Sequence, residues 1–215
     1  TVNVQVNIVE AQDGLYGFAA ADFKNPINNS SWLTYATDDL HDVTNLGKFY
    51  ANGQEGFWSG GTYYNGYVYT TLSATREENN TMYRGTELYR AKVTEGADPT
   101  QTIIGEPELV GFAENLEITA LGFDYNTGRM YCVENMYVGG LGIIDLETGA
   151  VDMLGQPNGE LAAGTYIPGL CVTRDGTIVV SDGVANLYTF DPDTLNTRKI
   201  HQGNGNAYTA FYEAM

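Results

Sequence analysis

The sequence predicts an all-β chain, a β-propeller of four-stranded antiparallel blades, and three observations carry that expectation. Residues 118–155, ITALGFDYNTGRMYCVENMYVGGLGIIDLETGAVDMLG, hold four short apolar runs parted by Asn-Thr-Gly, Gly-Gly and Glu-Thr-Gly, the signature of a meander of short strands. The same pattern recurs on both sides of this stretch. The glycine closing the first turn of each unit falls at Gly14, Gly66, Gly128 and Gly176, in steps of 52, 62 and 48 residues, close to the roughly 40 to 60 residues of a four-strand blade with variable loops.

The first blade, about 2–49, reads VNVQVNIVEAQ, the Asp13-Gly14 turn, LYGFAAADF, SWLTYATDD and VTNLGKF. Val2, Val4, Val6 and Ile8 alternate with polar residues, as in a half-buried strand. The second blade, about 56–110, contains FWSGGTYYNG, YVYTTLSA, TELYRAKV and QTIIGEPELV. Its Asn65-Gly66 pair is a strong hairpin signal. TREENNTMYRG between its second and third strands reads as a long polar loop, a place where binding residues concentrate on a rigid scaffold. The third blade is 118–155, and the fourth, about 167–202, is IPGLCVTRDG, TIVVSDGV, NLYTFDPDTL and NTRKIHQG. Residues 206–215 read as one extra inner strand. That makes about four blades plus one strand in a single domain, a self-closed ring or part of a larger propeller whose open edges would favour self-association.

Composition narrows the function. With 215 residues, 43% apolar and 12% aromatic, the chain suits one globular core. A net charge of -17 with only ten Lys and Arg disfavours nucleic acid and anionic membranes, which need a basic surface. No apolar run approaches the roughly 18 residues that span a bilayer as a helix, so membrane insertion is not expected. Richness in Tyr, Asn, Gly and Thr with few Lys is similar to that of secreted or cell-surface bacterial proteins.

FDYNTGRMYCV with LGIIDLETGAVDMLG, and VTRDGTIVVSDG with LYTFDPDTLNTRKI, resemble blades of the bacterial propeller superfamily that includes YVTN-type and quinoprotein-like repeats. The resemblance covers the third and fourth blades best and implies the propeller plan without a catalytic motif.

Few residues suggest catalysis. The serines lack a Gly-x-Ser-x-Gly elbow, and His41 and His201 fall at blade rims. Cys132 and Cys171 sit in apolar runs and read as buried thiols. Asp191-Pro192-Asp193-Thr194-Leu195-Asn196 brushes a calcium-loop pattern but lacks its glycine and distal glutamate, so a hairpin turn is expected. Asp22, Glu134 and Asp182 end second strands at similar offsets from their marker glycines, which makes them the candidate metal set, with calcium as the cation.

The blade face receiving the inter-blade connections should present Tyr50, Glu55, Trp58, Tyr83, Arg84, Tyr137 and Tyr166 as candidate ligand-binding residues. Aromatic rings beside acids and amides stack on sugars and bond their hydroxyls, and Tyr, Trp and Arg also anchor protein interfaces. The sequence therefore favours an extracellular, non-catalytic propeller that binds a glycan or protein on its loop face. The alternatives are a carbohydrate-active enzyme, a glycosidase or lyase using acids near the channel, and a structural module of a larger surface protein.

Overall fold

The computed structural model describes residues 15–19, 31–35, 43–48, 50, 51, 54, 55, 58–94, 96, 101–135 and 139–203, with side chains from residue 60 onward. The described chain is all-β and antiparallel in its main sheets. Three short strands, β1 (Leu15–Ala19), β2 (Ser31–Tyr35) and β3 (Val43–Lys48), form sheet 1, in meander order. The two-residue strands β4 (Tyr50–Ala51) and β5 (Gln54–Glu55) pair with each other. The first strand expected for sheet 1, within residues 2–12, and the extra strand at 206–215 lie outside the described residues.

Sheet 2 contains β6 (Trp58–Tyr64), β7 (Tyr67–Glu78), β8 (Thr81–Thr94) and β10 (Glu108–Glu114), with β9 (Ile103–Ile104) added at the far end of β8. Pro107, which has no N–H to give a ladder, falls between β9 and β10 and divides what the sequence reads as one strand. Sheet 3 is β11 (Ile118–Asp124), β12 (Arg129–Glu134), β13 (Gly140–Ile144) and β14 (Val151–Gly155), in that order. Sheet 4 is β16 (Gly169–Val172), β17 (Ile178–Ser181), β18 (Leu187–Phe190) and β19 (Asn196–His201). Here the sequence missed one feature: β15 (Asn158–Gly159), from the preceding connection, adds a parallel fifth strand beside β19.

Hydrophobic burial stacks these sheets. Leu121, Phe123, Met130, Cys132 and Ile144 on one face of sheet 3 join Tyr69 and Leu88 of sheet 2 in one cluster. Tyr131, Val133 and Leu141 on its other face join Leu170, Val180, Tyr188 and Phe190 of sheet 4. Sheet 3 is thus covered on both faces, which explains why its strands read as nearly continuous apolar runs. Each fully buried Leu, Ile or Phe contributes about 2 kcal/mol by leaving water.

The first strands of the three units lie side by side, with β11 between β6 and β16. Gly60 marks the closest approach. It adopts φ +67 at a register shift in β6, and a Cβ there would sit 3.0 Å from the Ala120 Cα. A side chain at this position would both strain the backbone and push β6 from β11. At the outer edge Gly111 of β10 meets the turn between β13 and β14, where a Cβ would fall 1.9 Å from the Thr148 carbonyl oxygen.

The turns show why the meanders close where they do. Asn65 and Gly66 have φ of 50° and 79°, the left-handed pair of a tight hairpin. Three other turns share one device, Asp-x-x-Thr followed by a left-handed residue. Asp124, Asp145 and Asp191 each accept N–H bonds from residues just downstream, and Gly128, Gly149 and Leu195 close the turns with N–H bonds of 2.8 Å to the aspartate carbonyls. The Asp191 motif is therefore a hairpin turn, as its missing calcium-loop residues imply.

Candidate functional site

The hairpin of β7 and β8 outgrows its neighbours. Pairing with β6 ends at Trp58 opposite Leu72, and pairing with β10 ends at Glu114 opposite Gly85, yet β7 and β8 continue to Glu78 opposite Thr81. Residues 75–84 thus form a two-stranded ribbon raised above the end of the sheets. The expected loop TREENNTMYRG is instead regular strand closed by Asn79 and Asn80, both left-handed at φ 51° and 60°. Its polarity misled the sequence reading because a ribbon outside the core needs no apolar alternation.

Strand alternation gives the ribbon two faces. Ser73 and Thr86 on one face reach sheet 3. Thr86 Oγ donates to the Leu116 carbonyl at 2.7 Å and accepts from the Ile118 N–H at 2.9 Å. The Ser73 hydroxyl donates to Glu117 Oε1. Thr75 and Arg84 form the next rung on this face, and both are exposed. On the opposite face Arg76 donates to Glu87 Oε1 through Nε at 2.9 Å and Nη2 at 2.6 Å, and lies 4.4 Å over the Phe112 ring. The Tyr89 hydroxyl donates to Glu87 Oε2 at 2.6 Å, and burial together with this acceptor pushes its pKa well above the usual phenol range. This part-buried network braces the base of the ribbon.

Beside Ser73 two carboxylates meet. Glu134, fully buried at the end of β12, accepts from the Glu117 N–H at 3.2 Å and the Gly139 N–H at 2.5 Å. Glu117 is half-buried beside it. Burial, and then the charge of Glu134, push the Glu117 pKa up. The next residue, Asn135, clips sheet 3 to sheet 4: its Nδ2 donates to the Ile167 carbonyl at 2.8 Å and its Oδ1 accepts the Ile167 N–H at 2.8 Å. Tyr166, immediately before this clip, is 51% exposed. This end of the stack therefore holds an exposed arginine, two neighbouring carboxylates and an exposed tyrosine.

The residues expected from sequence fall at this end to differing degrees. Arg84 shares the face of Ser73, which bonds Glu117, whereas Tyr83, its neighbour in the strand, faces the opposite way with Arg76. Tyr166 precedes Ile167, which Asn135 ties to sheet 3. Trp58 opens β6, and Tyr50 pairs with Glu55 across β4 and β5, so their backbones are described. Tyr137 and Asp22 lie outside the described residues. Of the candidate metal set, Glu134 is the buried member of the carboxylate pair. Asp182 holds its own turn, accepting from Val184 N–H at 2.9 Å, Asn186 N–H at 3.0 Å, Asn186 Nδ2 at 2.7 Å and Tyr188 hydroxyl at 3.1 Å. Burial raises its pKa, but these bonds outweigh burial and hold it below the usual range. No group of three metal-ligating side chains occurs among the described residues. Cys132 is a buried thiol with a pKa pushed up to about 12 by burial, and Cys171 is half-buried; both are unbridged.

Sequence reasoning missed Glu87 as an organising acid, and it placed Glu117 on the loop face without its partners. Glu117 gains its meaning from Ser73 and Glu134, 44 and 17 residues away, and no local pattern announces that meeting.

No protein-family model matches the chain, and no curated protein does either. Among solved structures, it is similar to a structural genomics protein of unknown function from Bacteroides thetaiotaomicron, with 17% identity over 80% of this chain and 41% of that one, at a TM-score of 0.45. It is also similar to the major Malassezia sympodialis allergen Mala s 1, with 10% identity over 87% of this chain and 59% of that one, at a TM-score of 0.46. The chain spans about half the length of these two.

Proposed function

We propose that the chain is a β-propeller, complete or part of a larger one, that works outside the cell as a non-catalytic binding protein and takes a glycan or protein ligand at the ribbon end. Support for the propeller comes from three successive four-strand meanders with their first strands side by side. The observation that carries the binding reading is the braced ribbon of residues 75–84, whose Arg84 shares a face with Ser73, the residue that bonds Glu117, at the end of the sheets where Tyr166 is exposed. A ribbon braced at its base by the Arg76–Glu87 ion pair is pre-organised, so a ligand would meet it at low ordering cost.

A second reading, a glycosidase, draws on Glu117 and Glu134, a carboxyl pair in which one member has a raised pKa. It is the weaker, because Glu134 is fully buried and receives backbone N–H groups on both oxygens. Screening the chain against immobilised neutral oligosaccharides and a linear peptide library tests both. Binding that falls at least about tenfold in Arg84→Ala and Tyr166→Ala, with an unchanged melting temperature, is the expected result. Binding indifferent to both changes contradicts the site. Hydrolysis of a bound oligosaccharide, abolished in Glu117→Gln, would establish the enzyme reading instead.

A further inference from the structure

The ribbon exposes backbone as well as side chains. Glu78 and Thr81 flank its two-residue turn, with Asn79 and Asn80 at φ 51° and 60°. Such a turn is closed by two residues that exchange both N–H···O bonds, and along an antiparallel ladder bonded pairs recur at every second residue. The closing pair is Glu78 with Thr81, the next is Arg76 with Tyr83, and the third is Ala74 with Gly85. The N–H and C=O groups of Thr75 and Glu77 therefore point away from β8, across an edge of β7 that no described strand covers beyond Leu72. The other edge of the ribbon shows the same phase and is partly taken. There the Arg84 carbonyl, directed away from β7, accepts the Asn115 N–H at 2.8 Å.

An unpaired edge invites another strand, and charged residues commonly guard it. Here the guards are Glu77 and Glu78, both exposed and without an ion pair among the described residues. Arg76, the cation nearest to them in the strand, is committed to Glu87. In a chain of net charge -17 these acids oppose pairing with a second copy and favour a basic strand. Alternation sets the pattern such a strand needs. Glu77 shares its face with Thr75, and Thr75 stands opposite Arg84 on that face. Cations therefore fit beside Glu77 and Glu78, and a neutral residue fits beside Thr75.

We propose that the β7 edge at residues 74–78 is a strand-addition site, one that takes an extended basic segment of a partner protein. The inference rests on the ribbon as the binding end and specifies both the partner and the mode of capture. The main chain of the segment pairs with Thr75 and Glu77 and supplies affinity, while its cations beside Glu77 and Glu78 supply selectivity. The Arg76–Glu87 brace fixes the edge before the partner arrives.

The test is an NMR titration of the isotopically labelled full chain with the end-blocked hexapeptide Lys-Lys-Thr-Val-Thr-Val and with its reversed sequence, which together present both strand directions, at millimolar concentration and low salt. At least one should shift the Thr75 and Glu77 amides and slow their hydrogen exchange. Replacing both lysines by glutamate should weaken that binding roughly tenfold or more. N-methylation at alternate peptide residues should abolish binding in one phase and spare it in the other, because only every second N–H faces β7. Thr75→Pro, which removes an N–H directed off the edge, should abolish binding, and Glu77→Lys should turn the preference toward the glutamate peptide without moving the melting temperature. No response of Thr75 and Glu77 to either lysine peptide overturns the proposal, as does equal binding of the acidic peptides or survival of binding in both N-methylated phases. Oligosaccharide binding lost in Arg84→Ala, with neither peptide protecting these amides, would overturn strand addition and leave the ribbon site standing. Protection of Thr75 and Glu77 in a chain whose other ligands ignore Arg84→Ala and Tyr166→Ala would support strand addition while the site built on those two residues fails.

Discussion

The two ends of the sheet stack use the same chemical group in opposite ways. At the turn end, Asp124, Asp145 and Asp191 each cap a hairpin with a carboxylate aimed at backbone N–H groups. Bonds from Thr148 hold Asp145 below the usual carboxylate range, those from Thr194 do so for Asp191, and those from Thr127 and Asn126 outweigh burial at Asp124. At the ribbon end, burial first and the neighbouring Glu134 second push the Glu117 pKa up. A carboxylate that serves the backbone is a fold device, and one pressed against another acid stores unfavourable charge. The difference teaches where to look for binding: the turn-end acids have committed oxygens, whereas the ribbon end is built from side chains meeting across sheets.

The largest effect expected from breaking this contrast is at Glu87. Glu87→Ala removes the shared acceptor of Arg76 and Tyr89 from a site only 9% exposed, and should lower unfolding stability by about 2 to 3 kcal/mol. Urea denaturation measures it, and hydrogen exchange should show the loss concentrated in residues 75–84. A loss below about 0.5 kcal/mol would mean that the network does not brace the ribbon.

A turn-end substitution should cost less. Asp124→Ala forfeits bonds from the Asn126 N–H at 2.9 Å and the Thr127 hydroxyl at 2.6 Å, and about 1 kcal/mol is expected. The cost should vanish at low pH. Asp124 has a folded pKa below its usual 3.8, so its contribution is present above that value and is lost as pH falls through the folded one. Denaturation at neutral pH and near pH 2 checks both statements.

The smallest effect has the opposite sign. The folded pKa of Glu117 lies above the usual 4.5, so the folded chain holds this proton more tightly than the unfolded chain does. Stability therefore falls as pH rises from the usual value through the raised one, and the full cost remains at neutral pH. Glu117→Gln, which still accepts from Ser73, should melt slightly above the parent chain at pH 7 and level with it below about pH 4.

Much of the fold was legible in the residues. Asn65-Gly66, Asn126-Thr127-Gly128 and Glu147-Thr148-Gly149 announce tight turns because few other residues take left-handed backbone, and the short apolar runs between them announce strands. Most described strands of the four predicted units fall on the runs that predicted them, although β7 and β8 extend through the predicted loop, β10 runs past residue 110, and β4, β5 and β15 fall on no predicted run. The ribbon was illegible because strands with two exposed faces look like loop, and β15 was hidden because two residues carry no period. The site was harder still. Arg84 and Tyr166 were named from their chemistry, but Tyr83 was grouped with Arg84 although successive strand residues point to opposite faces. Glu117 depends on contacts across sheets that only the docking of sheet 2 against sheet 3 creates.

That docking is tested most directly by following the side-chain carboxyl carbons through a pH titration of the folded chain. The account predicts that Glu117 titrates above 4.5 while Asp124, Asp145 and Asp191 titrate below 3.8. If Glu117 titrated at or below 4.5 while the three aspartates behaved as predicted, the turns would stand, but Glu117 would not be buried beside Glu134, and the proposed ribbon-end site would lose its acidic pair.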